Sequence, residues 1–309
     1  MGEERLTSPF YLYNMDIDFV ITYVDCNDPV WQETYAKNVK RKSFNASRYR
    51  SWDNLVYLFR GVAKFMPWIR NLFLVVQSES QVPAWVNRST VKVITHDMII
   101  PKRFLPTFNS CTIEMFLWKI PGLSENWIYS NDDTFPIGDL KESDFFASNG
   151  YPKIHFKGPM RFNDFNLFRS QCRSGMDISG VFPDERNIII KPDHIFLAHR
   201  KSTGERLYAA NNSRIHDTIT KTRHRKNCNQ YIYSYSEYRY KTYIDHKINY
   251  IYSCFSQTPL KKMLSAITSG KYQAICVNDD MMDIDFEYYK KSINSAFSAI
   301  LGEKSKYEI

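Results

Sequence analysis

No two cysteines lie close together in this 309-residue sequence; Cys26, Cys111, Cys172, Cys228, Cys254 and Cys276 are scattered along it. That spacing argues against a zinc site and, in a cytosolic chain, against disulfides. Reduced, mostly buried thiols are expected. No apolar run approaches the roughly 20 residues of a membrane-spanning helix, and residues 1–14 carry no signal-type apolar core, so a cytosolic protein is expected. The 11 glycines are nowhere gathered into a Gly-rich phosphate loop, and no Ser-His-Asp elbow is present. A nucleic-acid reader motif is missing as well.

What is present is a hydrophobic fraction of 43% with 16% aromatics, the composition of a globular chain. The net charge of +8 suits anionic partners, whether nucleotides, anionic glycans, acidic lipid headgroups or nucleic acid, so a basic nucleic-acid-binding protein stands as a further alternative to an enzyme. Residues 17–24 form a β-branched apolar run ending in Asp25-Cys26-Asn27-Asp28-Pro29, a strand closed by a turn. Residues 53–66 repeat apolar side chains at three- and four-residue steps, a helix that Asp53 would cap. Strands follow at 72–76 and 91–95, the second ending at His96-Asp97, then a helix over 110–119 and the run Trp127-Ile128-Tyr129-Ser130-Asn131-Asp132-Asp133. Strand, helix, strand, strand, helix, strand predicts an α/β fold with a largely parallel sheet.

The expected organisation is a leader or tether at 1–15, an α/β core at 16–140, an irregular aromatic and basic segment at 141–192, and a His/Arg-containing helical part at 193–309 that completes the core. The segment at 141–192 suits an acceptor-binding lobe and equally suits rings packed on the sheet. The tyrosines from Tyr231 to Tyr240 read as core. A last strand over 274–277 ends in Asn278-Asp279-Asp280, and the tail from 281 reads as an amphipathic helix.

Adjacent carboxylates repel unless a cation or a shared proton offsets them, although an isolated Asp-Asp pair more often caps a turn. Acidic strand ends recur here, at Asp25 and Asp28, at Asp132 and Asp133, and at Asp279 and Asp280. With His- and Arg-rich segments beside them, they point to a metal-assisted transfer on a phosphate ester. Mg²⁺ or Mn²⁺ would take the oxygen ligands, Arg223 would neutralise the phosphoryl group, and a neutral histidine would accept a proton.

The order of these motifs resembles the Stealth family, sugar-phosphate transferases of bacterial capsule synthesis related to the eukaryotic lysosomal-enzyme N-acetylglucosamine-1-phosphotransferase. Residues 17–29 are similar to its first region. Residues 48–140 are similar to its second, through Met66-Pro67-Trp68-Ile69-Arg70, Pro83-Ala84-Trp85-Val86-Asn87 and Leu105-Pro106-Thr107-Phe108-Asn109-Ser110. The stretch from His194 to Lys201, with Lys221-Thr222-Arg223-His224, resembles the third, and residues 276–280 the fourth. Tyr23 stands where the family has Trp, Cys26 where it has Gly, and Ala198 where it has Pro.

The resemblance implies a core of the glycosyltransferase-A kind. It implies transfer of a sugar 1-phosphate from a UDP-sugar to a glycan hydroxyl with release of UMP; transfer of the sugar alone, with UDP release, is the rival. The resemblance places Asp25, Asp28, Asn109, Ser110 and Arg70 on the nucleotide sugar, and Asp132, Asp279 and Asp280 on the metal. Asp132, Asp133, His194 and Arg223 would be catalytic, with His199 as the alternative base. The expected partners are the donor, the glycan acceptor and, at the inner face of the membrane, capsule machinery; nucleic acid is not expected.

Overall fold

The strand-forming runs contain the most strongly buried residues of the chain. The computed structural model describes residues 15–40, 49–163, 165–183, 187–280 and 285–309; the leader through residue 14 and the basic stretch 41–48 lie outside them. In chain order the first part comprises β1 (Ile17–Thr22), α1 (Pro29–Asn38), α2 (Leu55–Phe65), β2 (Leu72–Val76), β3 (Val91–Thr95), α3 (His96–Ile99), α4 (Ser110–Glu114), β4 (Asn126–Asn131) and β5 (Thr134–Pro136). The middle adds α5 (Glu142–Phe145), β6 (Phe156–Arg161), α6 (Leu167–Ser179), β7 (Ile188–Pro192), β8 (Leu197–Arg200) and α7 (Lys201–Thr218). Last come α8 (Tyr231–Tyr240), β9 (Tyr250–Cys254), α9 (Leu260–Thr268), β10 (Ala274–Asn278) and α10 (Phe286–Ile300).

The main sheet has the order β3-β2-β1-β4-β8. Its first four strands are parallel and β8 runs antiparallel at the edge, so the α/β fold with a largely parallel sheet is what the chain forms. A second sheet, β5-β10-β9, stands beside it, and β6 and β7 make a separate antiparallel pair. Alternation along each strand divides the core. Phe19, Ile21, Leu74 and Ile128 face one cluster with α2, α9 and α10. Val20, Phe73, Trp127 and Tyr129 face the other with α6 and α8, where Tyr231 and Tyr235 are buried as the sequence predicts, whereas Tyr240 at the end of α8 is exposed.

Several local expectations change. Pro29 opens α1 rather than closing a turn, at a position where its missing N–H costs nothing, and Asp28 caps that helix. Asn54, not Asp53, precedes α2; Asp53 sits at φ 52° and pairs with Lys290. The helix expected over 110–119 breaks after Glu114. Residues 141–192 are not irregular, since the β6/β7 pair packs against the 13-residue α6. No described helix is long and apolar enough to cross a membrane.

Arg70, expected on the nucleotide sugar, is engaged at the end of the sheet opposite Asp132 and Asp133. Its guanidinium donates to both oxygens of Asp18 at 2.9 and 2.7 Å and reaches Asp16 and the Gly122 carbonyl. All of this lies at the N-terminal end of β1, about 13 Å of strand from Thr22. Burial pushes the Asp18 carboxyl up, but Arg70, the Ser124 amide and Asn71 together hold it below its ordinary range. Because its folded pKa is depressed, Asp18 stabilises the fold above pH ~4, and that contribution disappears as pH falls through the folded value.

Arg70→Ala strands a buried carboxylate that keeps only its neutral donors. The expected loss is about 2–3 kcal/mol in urea unfolding at pH 7. Unchanged stability would show that the bridge contributes nothing.

Candidate active site

Thr22 and Asn131 are register partners at the C-terminal ends of β1 and β4. From β1 the sheet continues through β2 and β3 on one side and β4 on the other, so a crevice opens between these ends, as it does wherever strand order reverses in an α/β sheet. Beyond Asn131 the chain takes two residues, Asp132 and Asp133, to pass from the main sheet into β5 of the second. The Val277 amide donates to the Asp133 carbonyl at 2.8 Å, which ties the end of β10 to this joint.

The two carboxylates meet different surroundings. Asp132 lines the crevice with Arg223; burial and then the neighbouring Asp133 raise its pKa to about 7. Asp133 is raised as well, by burial, with His194 opposing the shift. One of its oxygens lies 3.7 Å from the Cys276 sulfur, while Oδ1 is buried with no hydrogen-bond partner. His194, Asp133 and Cys276 bring one ligand atom each within 4.8 Å of one another. Burial holds the His194 pKa below its ordinary value against the pull of Asp133, so the ring is neutral at pH 7. Its Nδ1 lies 3.2 Å from the Tyr231 hydroxyl.

Arg223 arrives on a loop fastened to α4. The Asn109 amide reaches the Thr220 and Thr222 carbonyls at 3.1 and 3.3 Å, its side-chain oxygen accepts from Cys111 N, and the Phe108 amide donates to Lys221 O at 2.8 Å. The guanidinium then donates to Ser110 Oγ at 2.7 Å and stays open to the crevice. Asn109 itself is fully buried, so it acts on the loop rather than on a ligand. Ser110 does line the crevice.

Sequence reasoning missed one whole chamber. Trp31 and Phe108 meet edge to face at 5.6 Å and Trp31 and Tyr49 at 5.2 Å. Beside them Gln77 Oε1, His96 Nδ1 and Thr107 Oγ1 are buried without a hydrogen-bond partner, and all three residues line the same space. Buried polar atoms are rarely left unpaired in native structures. Nothing in the linear sequence marks them, because the pattern is a shared wall and not a spacing. A second chamber, bounded by Arg50, Trp52 and Asp279, opens on the other side of Asp132 and Arg223.

Other predicted positions have different occupations. Asp28 is buried and caps α1 through the Val30 and Trp31 amides, with Ser80 and Gln81 also donating to it. Asp25 accepts from the Asn27 amide, and its backbone is clasped by Gln81. Neither carboxylate lines the crevice. Asp279 is committed to Arg50 at 2.5 and 2.6 Å and to Trp52 Nε1, and Asp280 to Ser256. Neither they nor Asp132 belongs to the metal-ligand group found among the described residues, which is Asp133, His194 and Cys276. His199 is fully buried between Trp127 and Tyr233 at 4.9 Å from each, with its pKa pushed down to about 3 by burial. It cannot reach a substrate.

The donor set can be tested against a divalent ion. The orphaned Asp133 Oδ1 and the high proton affinity of Asp132 both fit a hard cation held by these two carboxylates. The thiol of Cys276, raised by burial and by Asp133, suits such an ion poorly.

Residues 48–154 match the family described as Stealth protein CR2, conserved region 2. The chain is 29% identical to an exopolysaccharide phosphotransferase of Lactiplantibacillus plantarum over 95% of this chain and 96% of that one. It is 30% identical to a capsular polysaccharide phosphotransferase of Haemophilus influenzae over 93% and 84%. Among solved structures, the galactosyltransferase LgtC, in complex with donor and acceptor sugar analogs, aligns over 90% of this chain and 95% of its own at 9% identity, with a TM-score of 0.44.

Because the folded pKa of Asp132 lies above its unfolded value of roughly 4, the cation-free protein should lose stability as pH rises from about 4 to 7. Asp132→Asn removes that penalty. At pH 7.5 in chelator it should melt roughly 2 °C or more above the parent, and Mg²⁺ or Mn²⁺ should raise the melting temperature of the parent but not of the variant. A variant less stable than the parent in chelator would contradict the assignment.

Proposed function

The chain belongs to the Stealth family of polysaccharide phosphotransferases, and from that premise we propose that it transfers a sugar 1-phosphate from a UDP-sugar to a hydroxyl of a glycan acceptor. The observation that carries the reading is the meeting of Asp132, Asp133, His194 and Arg223 where β4 leaves the main sheet. A paired carboxylate, a neutral imidazole and an accessible guanidinium are what an in-line displacement at phosphorus requires.

In this reading the acceptor oxygen attacks the phosphorus bonded to the sugar's anomeric oxygen. The bond from that phosphorus to the bridging oxygen breaks, and UMP departs with the electron pair. His194 Nε2 takes the hydroxyl proton; to do so the ring keeps its own proton on Nδ1, where the N–H donates a hydrogen bond to the Tyr231 hydroxyl. Arg223, oriented by Ser110, bears on the charge of the transferred group. A divalent cation at Asp132 and Asp133, Mg²⁺ or Mn²⁺, would supply further neutralisation of the donor's diphosphate. The aromatic chamber suits the nucleobase: rings cover its faces, and Gln77, His96 and Thr107 offer their unpaired atoms to its edge. Reaction in the cytoplasm, against membrane-associated capsule machinery, suits a net charge of +8.

The test is to incubate the protein with Mg²⁺ or Mn²⁺, a panel of UDP-sugars and short glycan acceptors, and to identify the nucleotide released. UMP, with a phosphodiester signal in the ³¹P spectrum of the product, is expected; UDP would move the attack to the sugar carbon. His194→Ala should lower kcat by about 10²–10⁴ and Arg223→Ala by about 10²–10³ without unfolding the protein. The acidic limb of kcat/KM should fall below pH 6.5, following the lowered His194 pKa. His199→Ala should instead cost stability.

A further inference from the structure

Lys157 and Lys191 are direct partners across the antiparallel β6/β7 pair. Like charges placed opposite one another on a ladder repel. Asp193 is the carboxylate that faces them, 3.8 Å from the Lys157 ammonium; among the described residues Lys191 makes no ion pair, and its ammonium lies 5.1 Å from the centre of the Phe168 ring. Two cations therefore share one carboxylate. Burial and then Lys157 hold the Lys191 pKa below its ordinary value, with Asp193 opposing the shift.

The pair is joined to the reacting groups. Lys191 is three residues before His194, and the Lys157 ammonium lies 5.9 Å from the centre of the Tyr250 ring. Two residues along β9, on the same face and about 7 Å away, Tyr252 meets the His194 ring edge-on at 5.8 Å. Tyr252 is also the register partner of Cys276, whose thiol approaches Asp133, and 40% of its surface is exposed. Tyr250 and Tyr252 thus link the lysines to His194, whose pKa both ammonium groups lower through space.

We propose that Lys157 and Lys191 bind a phosphate of the acceptor, one sugar unit from the attacking hydroxyl, with Tyr250 and Tyr252 supporting the ring between. This rests on the reading of His194 as the base and makes the acceptor a phosphate-bearing saccharide. The phosphate belongs either to a phosphodiester of a growing polymer or to the diphosphate of a lipid-linked sugar.

Three probes of one hexose test it: the neutral methyl glycoside, the 1-(methyl phosphate) diester, and the citronellyl diphosphate. Calorimetric binding without donor should favour a phosphate probe over the neutral one by about tenfold or more, and the preferred probe identifies the source. Lys157→Gln and Lys191→Gln should each remove about tenfold of that preference. Lys157→Arg should retain it, and binding of the neutral probe should not change. In turnover the loss should fall on the acceptor KM, not on kcat or the donor KM. Equal binding of neutral and phosphate probes, equal losses for both, or a loss confined to the donor KM would overturn the assignment. If no donor releases its nucleotide, the transfer reading fails while the calorimetry still decides the subsite. Should Lys191→Gln misfold, the more exposed Lys157→Gln decides it alone.

Discussion

Two carboxylates that repel each other are fixed at the joint between two sheets. Asp132 and Asp133 are the whole of the connection from β4 to β5, so neither can move away without unpairing a strand. The Val277 amide holds the Asp133 carbonyl from the far side. Everything else in the crevice is arranged about this uncompensated pair: Arg223 on one flank, His194 and Cys276 on the other.

The opposite end of the same sheet shows what full compensation looks like. Asp18, also buried, receives Arg70, Asn71 and the Ser124 amide, and its carboxyl is held down. At the C-terminal ends the donors are withheld and the carboxyls are pushed up. The sheet is therefore closed electrostatically at one pole and open at the other. Folded proteins commonly concentrate such stability deficits where ligands bind.

Much of this was legible where a single strand carries the signal. β2 and β3 coincide with their apolar runs, and the end of β4 falls where the apolar run gives way to Asn131. Asp132, Asp133, His194, Arg223 and Ser110 were all named from sequence and lie in or beside the crevice. Asp28 was misread because a strand-end carboxylate and a helix cap look alike until Pro29 is seen to start α1. Arg70 was misread because a motif gives no pole of the sheet; it belongs to the end where β2 begins. The aromatic chamber and the Lys157–Lys191 pair were out of reach, since each is assembled by register and tertiary contact across segments that have no common pattern.

Arg223 illustrates how far a side chain's chemistry depends on a distant neighbour. No helix or strand carries it; its loop is riveted to α4 by Asn109, more than a hundred residues earlier in the chain. On the role proposed for Arg223, a genetic screen for lost function would return Asn109 alongside it, with the same phenotype. A map of tolerated substitutions would draw the active centre larger than its substrate, extended inward by a buried amide that touches none of it.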